Sequence, residues 1–379
     1  MRNTNTLLVV GNGFDIAHGM KTSYKNILFA IMRKLSTWKQ IEGFTPQQQF
    51  SALALQFDED ITNKVFDTYK SNWERNHIRK INDFSASSLQ GELGVAYQYA
   101  RNFLIKYGNW WLNHFMHVLT NRERRIGNGW VDFEAEINRV ITNVENIILN
   151  KSYASDLEYG FGGYGNDLIA LREQFIPEIK MDLSILNVVI EYYLSLEEIH
   201  GESKKLPLID SLENVKAILS YNYTHTYQNV YDEEFKNVCY LHGEVGQHNL
   251  VLGINETLSD ALKDKILDCA NFKKLYQLIY YRLGNNFKQI FSKAGGDSAE
   301  WNAIIYGYSL TPADSYSLGW LFEKSSTNLF AGAIRNITIY YYDESAYNEQ
   351  LTNLFHIIGQ EKILSYITSG CIEFKQIPR

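Results

Sequence analysis

The pattern of hydrophobic and polar positions divides the chain into two kinds of segment. Near the start, residues 7–10 form a continuous apolar run, which is typical of a short strand buried on both faces of a sheet. From there to about residue 200, apolar residues recur mainly at helical spacing. The helices predicted in this part cover residues 23–35, 50–76, 89–120, 133–150 and 167–196.

After residue 210 the pattern changes, and short apolar runs alternate with helical segments. Strands are predicted over residues 215–220, 237–241, 250–252, 303–306 and 337–342, and helices over 258–293 and 344–368. This alternation favours an α/β fold with a Rossmann-like, doubly wound parallel sheet. The predicted core covers residues 1–40 and 205–379. A large helical insertion over residues 41–204 interrupts it after the first βα unit.

Composition and charge narrow the classes of function. The formal net charge of −7 argues against broad binding to nucleic acid. The three cysteines lie far apart, so they cannot form a disulfide framework or a four-cysteine zinc site. No apolar run approaches the roughly 18 residues that cross a bilayer, and no signal pattern is present. We expect a cytoplasmic protein with no membrane contact and no metal.

A glycine-punctuated turn follows the first strand. Gly11-Asn12-Gly13 would expose backbone N–H groups where a phosphate can bind. The dehydrogenase fingerprint requires a third glycine where Ile16 stands, so hydride transfer is not favoured. No Gly-Lys-Ser/Thr follows, which argues against a P-loop. The segment either binds a nucleotide or is only a tight turn whose backbone dihedral angles require glycine. Asp15 either binds a ribose or caps the next helix.

Polar side chains follow several of the later strands. Because ligands of open α/β sheets bind outside the carboxyl ends of the strands, these residues should lie on the same edge as Gly11. They include Asn222, His242, Ser309 and Asp343. Their convergence on one edge predicts a ligand site there.

Asn222 and His242 suit one type of chemistry. A histidine can take a proton from a hydroxyl or a water near neutral pH, and an asparagine can hold that group without adding charge. Together they suit attack at a carbon whose leaving group departs readily. The N-glycosidic carbon of NAD is such a centre, because nicotinamide leaves as a neutral base.

Motifs along most of the chain resemble those of the AbiH family of bacterial phage abortive-infection proteins. The similar segments are residues 7–24, residues 130–134, Asn222-Tyr223-Thr224, His242-Gly243, and residues 307–310 with Asp314. The resemblance implies an abortive-infection effector, a toxin that halts the host before phage mature. It also implies a phage-derived trigger or an inhibitory partner.

The same motifs are similar, more distantly, to those of sirtuins and sirtuin-like NAD hydrolases. This likeness implies that Asn222 orients ribose or water and that His242 is the general base. The NAD-binding residues that it implies are Gly11, Asn12, Gly13, Asp15, Ser23, Tyr24, Thr224, Gly243, Gly307, Ser309, Asp314 and Asp343. The chain lacks the four-cysteine zinc module of sirtuin deacylases, which favours simple NAD cleavage over acyl-lysine chemistry.

The resemblance thus implies an NAD glycohydrolase (NADase) that produces ADP-ribose and nicotinamide. By analogy with sirtuin-like effectors, it also suggests a homo-oligomer. Two alternatives stay open. One is a non-catalytic module that senses or binds NAD or ADP-ribose. The other is chemistry on RNA, against which the acidic balance argues.

Three acidic residues, Asp132, Glu134 and Glu136, open the helix predicted over residues 133–150. Acidic side chains at a helix start are favoured by the positive end of the helix dipole, which accounts for all three. Alternatively, these three residues contact a substrate.

Overall fold

A computed structural model describes most of the chain and defines its architecture. The described residues are 4–24, 26–28, 30, 109–120, 133–150, 168–201, 203–255, 268–283, 300–322 and 334–378. The predicted helix over residues 50–76 and Asp132 lie outside them.

Six parallel strands form one sheet. They are β1 (Asn5–Val10), β2 (Val215–Ser220), β3 (Val238–Tyr240), β4 (Trp301–Tyr306), β5 (Ile334–Tyr341) and β6 (Ile372–Gln376). Their order is β3-β2-β1-β4-β5-β6, with every neighbouring pair parallel. This is the strand order of the doubly wound nucleotide-binding folds. The predicted α/β class and parallel sheet are therefore confirmed.

The apolar run at the start of the chain forms the centre of this sheet. All six residues of β1 are buried, because the strand has a neighbour on each side and packed layers on both faces. Val10 is paired with Ser220 of β2 and with Tyr306 of β4. The ends of these three strands are consequently level with one another.

All of the described helices lie between consecutive strands along the chain. They are α1 (Asn12–Ala17), α2 (Trp110–Thr120), α3 (Phe133–Asn150), α4 (Leu168–Ala170), α5 (Ile176–His200), α6 (Pro207–Asp210), α7 (Thr226–Val230), α8 (Lys274–Tyr280), α9 (Ser315–Phe322), α10 (Glu344–Ile358) and α11 (Gln360–Thr368). A π-helical turn, Leu171–Phe175, joins α4 to α5. None of the described helices is both long enough and apolar enough to cross a membrane.

The chain separates into two compact units. The core unit comprises Met1–Thr22, Leu196–Glu244 and Lys274–Arg379, and it contains the whole sheet. The second unit comprises Ser23–Ser195 and Val245–Lys273. The division predicted from the sequence, at residues 40 and 205, stays a prediction.

Aromatic packing and a buried carboxylate hold the helices of the second unit together. Phe115 of α2 stacks on Phe133 of α3, with ring centroids 4.2 Å apart. Trp111 Nε1 donates a hydrogen bond to the Ile179 carbonyl of α5. Asp182 of α5 accepts from the Trp110 backbone N–H, which satisfies one of the unpaired donors at the start of α2.

One predicted strand was wrong. Residues 250–252 are buried and apolar but form no strand. Instead, the Asn187 side-chain amide donates to the Leu250 carbonyl at 3.2 Å. A side chain therefore satisfies a backbone group that a sheet ladder would otherwise satisfy.

Candidate functional site

The carboxyl ends of four neighbouring strands form one edge of the core unit. The Tyr221 N–H, just after β2, donates to the Val10 carbonyl at 2.9 Å, and the Leu241 N–H, just after β3, donates to the Ser220 carbonyl at 2.8 Å. The loops after β1 and β4 meet at the point where the strand order reverses. Open α/β sheets bind their ligands at this position.

Close packing explains the glycines of the loop after β1. A Cβ at Gly11 would lie 2.6 Å from Tyr308 Cδ2, and one at Gly13 would lie 2.8 Å from Gly307 Cα. Gly307 has a φ of +64°, and a Cβ there would lie closer still to the Phe14 backbone nitrogen. The loops after β1 and β4 therefore touch directly, backbone against backbone.

This packing also engages the backbone of the glycine loop. The Gly13 N–H donates to the Gly307 carbonyl at 2.7 Å, and the Phe14 N–H donates to the Gly11 carbonyl at 2.8 Å. The Asn12 side chain accepts a hydrogen bond from the Thr22 hydroxyl. These contacts account for the loop as a tight turn that requires glycine. Its role in phosphate binding stays a prediction.

Asp15 is the centre of a buried polar cluster. Its Oδ1 accepts from Asn222 Nδ2 at 3.0 Å and from the Thr226 hydroxyl at 2.7 Å, while its Oδ2 accepts from the Thr224 hydroxyl at 2.5 Å. Asp15 does not cap α1, because the residue at that helix start is Gly11. The carboxylate instead ties α1 to the segment that follows β2.

Burial sets the charge of this cluster. Burial raises the pKa of Asp15 to about 6, although the three hydrogen bonds oppose that shift. Asp15 is thus ionised at neutral pH and becomes protonated in mild acid. Since the carboxylate accepts three hydrogen bonds, its charge is stabilised mainly by neutral donors.

Asn222 leaves one hydrogen-bonding atom unmatched. Its Nδ2 donates to Asp15, but its buried Oδ1 accepts no hydrogen bond from the described part of the chain. Asn222 lines a small, open pocket together with Asp15, Thr224 and Thr226. Asn222 Oδ1 is one of several such buried atoms of the described residues, and among them it is the one whose residue lines this pocket, so it calls for a specific explanation.

Asp314 is the centre of a second buried cluster. Its Oδ1 accepts from His242 Nε2 and from Lys274 Nζ, each at 2.9 Å, and its Oδ2 accepts from the Tyr308 hydroxyl at 2.7 Å. Burial alone would raise the pKa of Asp314, but the charges of Lys274 and His242 hold it well below its usual value. An ionised carboxylate only accepts hydrogen bonds, so His242 Nε2 carries a proton.

Aromatic rings pack around this second cluster. Tyr221 stacks on Tyr308 with centroids 4.1 Å apart, and it meets His242 edge to face at 5.4 Å. The Tyr221 hydroxyl lies 2.9 Å from the Ser317 hydroxyl, which donates to the Asp314 backbone carbonyl. The ring of His242 therefore has one fixed orientation.

A third, partly exposed cluster lies after β2 and β3. The Nδ1 of His225 is 3.1 Å from Glu198 Oε1, and its Nε2 is 3.5 Å from Glu244 Oε2. Burial alone would lower the pKa of His225, but the two glutamates raise it to about 9. His225 is therefore an imidazolium at neutral pH.

Two of the remaining predicted binding residues of the core unit have structural contacts. Asp343 caps α10 by accepting from the Ala346 N–H at 2.9 Å. The Ser309 carbonyl accepts from Asn353 Nδ2. Gly243 follows His242 directly and has a φ of +82°. A binding role for these three residues stays a prediction.

Ser23 and Tyr24 belong to the second unit. The Ser23 hydroxyl oxygen accepts from the Asn26 N–H, and the Tyr24 hydroxyl donates to Glu134 at 3.2 Å. Glu136 pairs with His114 and Arg139, at 2.9 and 3.0 Å. These contacts give Glu134 and Glu136 structural partners within the second unit, beyond the effect of the helix dipole.

Three comparisons with known proteins place the chain in context. The family model described as "Bacteriophage abortive infection AbiH" matches residues 7–331. Neither the curated proteins nor the solved structures include a significant match. The family match covers both described clusters around Asp15 and Asp314.

Proposed function

Because the chain belongs to the AbiH family of bacteriophage abortive-infection proteins, we propose that it acts in phage defence by hydrolysing NAD at this edge of the sheet. In the proposed reaction, water adds to the ribose carbon that carries nicotinamide. The N-glycosidic bond breaks, its electron pair leaves with nicotinamide, and ADP-ribose and a proton are released. Loss of NAD would stop the infected host.

The unmatched Asn222 Oδ1 is the observation that carries this proposal. A buried acceptor beside a pocket suits a ligand group with a hydrogen to donate. A ribose hydroxyl or the attacking water is such a group. The neutral amide would hold it without adding a charge that competes with the cationic, oxocarbenium-like transition state.

His242 supplies the proposed base. Its Nε2–H donates to the Asp314 carboxylate, which leaves the other ring nitrogen, Nδ1, to accept a proton. Lys274 already balances the charge of Asp314. The pair of buried partners thus fixes the tautomer and the ring orientation of His242, as a general base requires.

A direct assay tests the proposal. Purified protein is incubated with NAD, with and without phage lysate, and nicotinamide and ADP-ribose are quantified. We expect His242→Ala and Asn222→Ala to abolish the release of nicotinamide. The matched controls His356→Ala and Asn348→Ala remove exposed side chains of α10 and should leave the rate unchanged. Wild-type protein that protects cells while cellular NAD stays constant would refute NAD hydrolysis.

Burial of His242 favours a second candidate, the binding of NAD or ADP-ribose without cleavage. The histidine is only 6% exposed, and Asp314 already accepts from three side chains. Such a closed cluster also suits a scaffold for a ligand-sensing site. Retained binding of NAD together with phage protection by the His242→Ala variant would favour this function.

A further inference from the structure

We infer that Asp15 is a positioning residue, which fixes the Asn222 side-chain amide so that the site presents a hydrogen-bond acceptor and never a donor. The inference deepens the proposed function and rests on it for the identity of the ligand. Asp15 itself then touches no substrate. Its role is to determine which end of the Asn222 amide, the oxygen or the nitrogen, contacts the substrate.

The direction of the hydrogen bond fixes the amide. Asn222 Nδ2 donates to Asp15 Oδ1 across 3.0 Å. If the amide rotated by half a turn, its carbonyl oxygen would face the carboxylate, and two acceptors would meet with no hydrogen between them. An ionised Asp15 therefore excludes that orientation and leaves Asn222 Oδ1 on the side away from the carboxylate.

The Asp15 carboxylate is itself held in place. The hydroxyls of Thr224 and Thr226 donate to its two oxygens, and these hydroxyls lie 3.1 Å from each other. The backbone of Asn222 is fixed as well, because its N–H donates to the Ser220 hydroxyl at 3.1 Å. Neither member of the Asp15–Asn222 pair can move without breaking other buried hydrogen bonds.

This arrangement specifies the chemistry of the ligand. A group that contacts Asn222 Oδ1 must donate a hydrogen bond, as a sugar hydroxyl or a water does. A carboxylate or a phosphate oxygen would meet only another acceptor. Within the proposed function, Asn222 therefore contacts a ribose hydroxyl or the attacking water, and not the pyrophosphate of NAD.

The protonation state of Asp15 should control the orientation of the Asn222 amide. When protonated, its O–H can donate to Asn222 Oδ1, which removes the constraint on the amide. Among the described residues, Glu198 acts on Asp15 electrostatically and raises its pKa further, although less than burial does. The orientation of the amide should therefore become less restricted as the pH falls through about 6.

The first experiment requires no activity. The side-chain NH₂ resonances of Asn222 are followed by NMR in protein labelled with ¹⁵N-asparagine, and assigned by their absence in Asn222→Ala. We expect them to titrate with a midpoint near pH 6 in the wild type and to show no such titration in Asp15→Asn. Asp182→Asn is the matched control, since it alters a buried carboxylate of the second unit and should leave the titration unchanged.

The second experiment measures NAD hydrolysis against pH. We expect Asp15→Asn to lower kcat by about tenfold at pH 8 with a smaller change in KM, because a charge-assisted hydrogen bond is lost. The acid limb near pH 6 should also disappear. Asn222 resonances in wild-type protein that do not move between about pH 5 and 8 would overturn the inference, whether or not NAD is cleaved. Failure of the wild type to cleave NAD, with the titration present, would refute only the proposed reaction.

Discussion

Lys274 Nζ lies 2.9 Å from Asp314 Oδ1, and both side chains are 1% exposed. Lysine is among the residues least often fully buried, and when it is buried it is normally paired. The pair lies beside His242, so Lys274 joins the cluster that holds the proposed base. The fold thus buries two full charges of opposite sign in direct contact with each other.

Replacing Lys274 with methionine tests the strength of this pair. The variant keeps the apolar length of the side chain and removes the charge, so Asp314 keeps only its hydrogen bonds from His242 and Tyr308. We expect the free energy of unfolding to fall by about 3 kcal/mol, because a buried charge loses a partner. Urea unfolding at pH 7.5 measures the change.

The control for this variant is Lys205→Met. Lys205 pairs with Asp210 at 3.3 Å, but both side chains are more than half exposed. Water screens such a pair, so we expect a change within about 0.5 kcal/mol. A Lys274→Met variant as stable as Lys205→Met would contradict the view that the buried ion pair stabilises the core unit.

Gly307→Ala tests the contact between the loops after β1 and β4. A Cβ at Gly307 meets the backbone of Gly13 and Phe14, in addition to the strain of a positive φ. We expect a loss of about 3 kcal/mol or more, the sum of overpacking and backbone strain. The matched control is Gly370→Ala, where φ is +71° and no atom lies within 4 Å of the new Cβ.

Strain alone should cost Gly370→Ala about 1 kcal/mol. The difference between the two variants in thermal or urea unfolding isolates the steric term. Equal losses would mean that the loop after β1 moves away from Gly307 at little cost. In that case the glycines would not be needed for close packing.

The position of the polar residues could be predicted from the sequence, because the carboxyl ends of parallel strands share one edge. His242 and Asp314 follow β3 and β4, and the fold brings them to 2.9 Å. Lys274 could not be predicted in this way, since a lysine in a helical segment normally faces solvent. Its partner, Asp314, is 40 residues away, and only tertiary packing brings them together.

Two other residues show what a local pattern can and cannot reveal. Asp343 lies directly before the predicted helix over residues 344–368, and an aspartate in that position is a common helix cap. The pattern therefore already contained its structural role. The unmatched Asn222 Oδ1, in contrast, follows from the direction of one hydrogen bond to Asp15, which spacing and composition do not encode.

Asp182 should make the stability of the protein depend on pH. Burial raises its pKa to about 8, far above the 3.8 of an unfolded aspartate. Between these two values the folded state binds one proton more than the unfolded state, so stability falls as the pH rises. We expect Asp182→Asn to remove up to about 1.4 kcal/mol of this loss per pH unit.

Urea unfolding of wild-type and Asp182→Asn protein at a series of pH values measures this effect. The two proteins should be almost equally stable near pH 4. The variant should then gain steadily up to about pH 8 and show a constant difference above it. A difference that does not change with pH would mean that Asp182 is ionised in the folded state throughout.

The imidazolium of His225 should depend on both of its glutamates. Glu198 and Glu244 contact opposite ring nitrogens and raise the pKa of His225 to about 9. We expect Glu198→Gln and Glu244→Gln each to lower this pKa, with the larger effect for Glu198, whose contact is shorter. Titration of ¹⁵N-histidine-labelled protein by NMR measures it, with Glu234→Gln as an exposed control. If His225 titrated equally in all four proteins, the two carboxylates would not determine its charge.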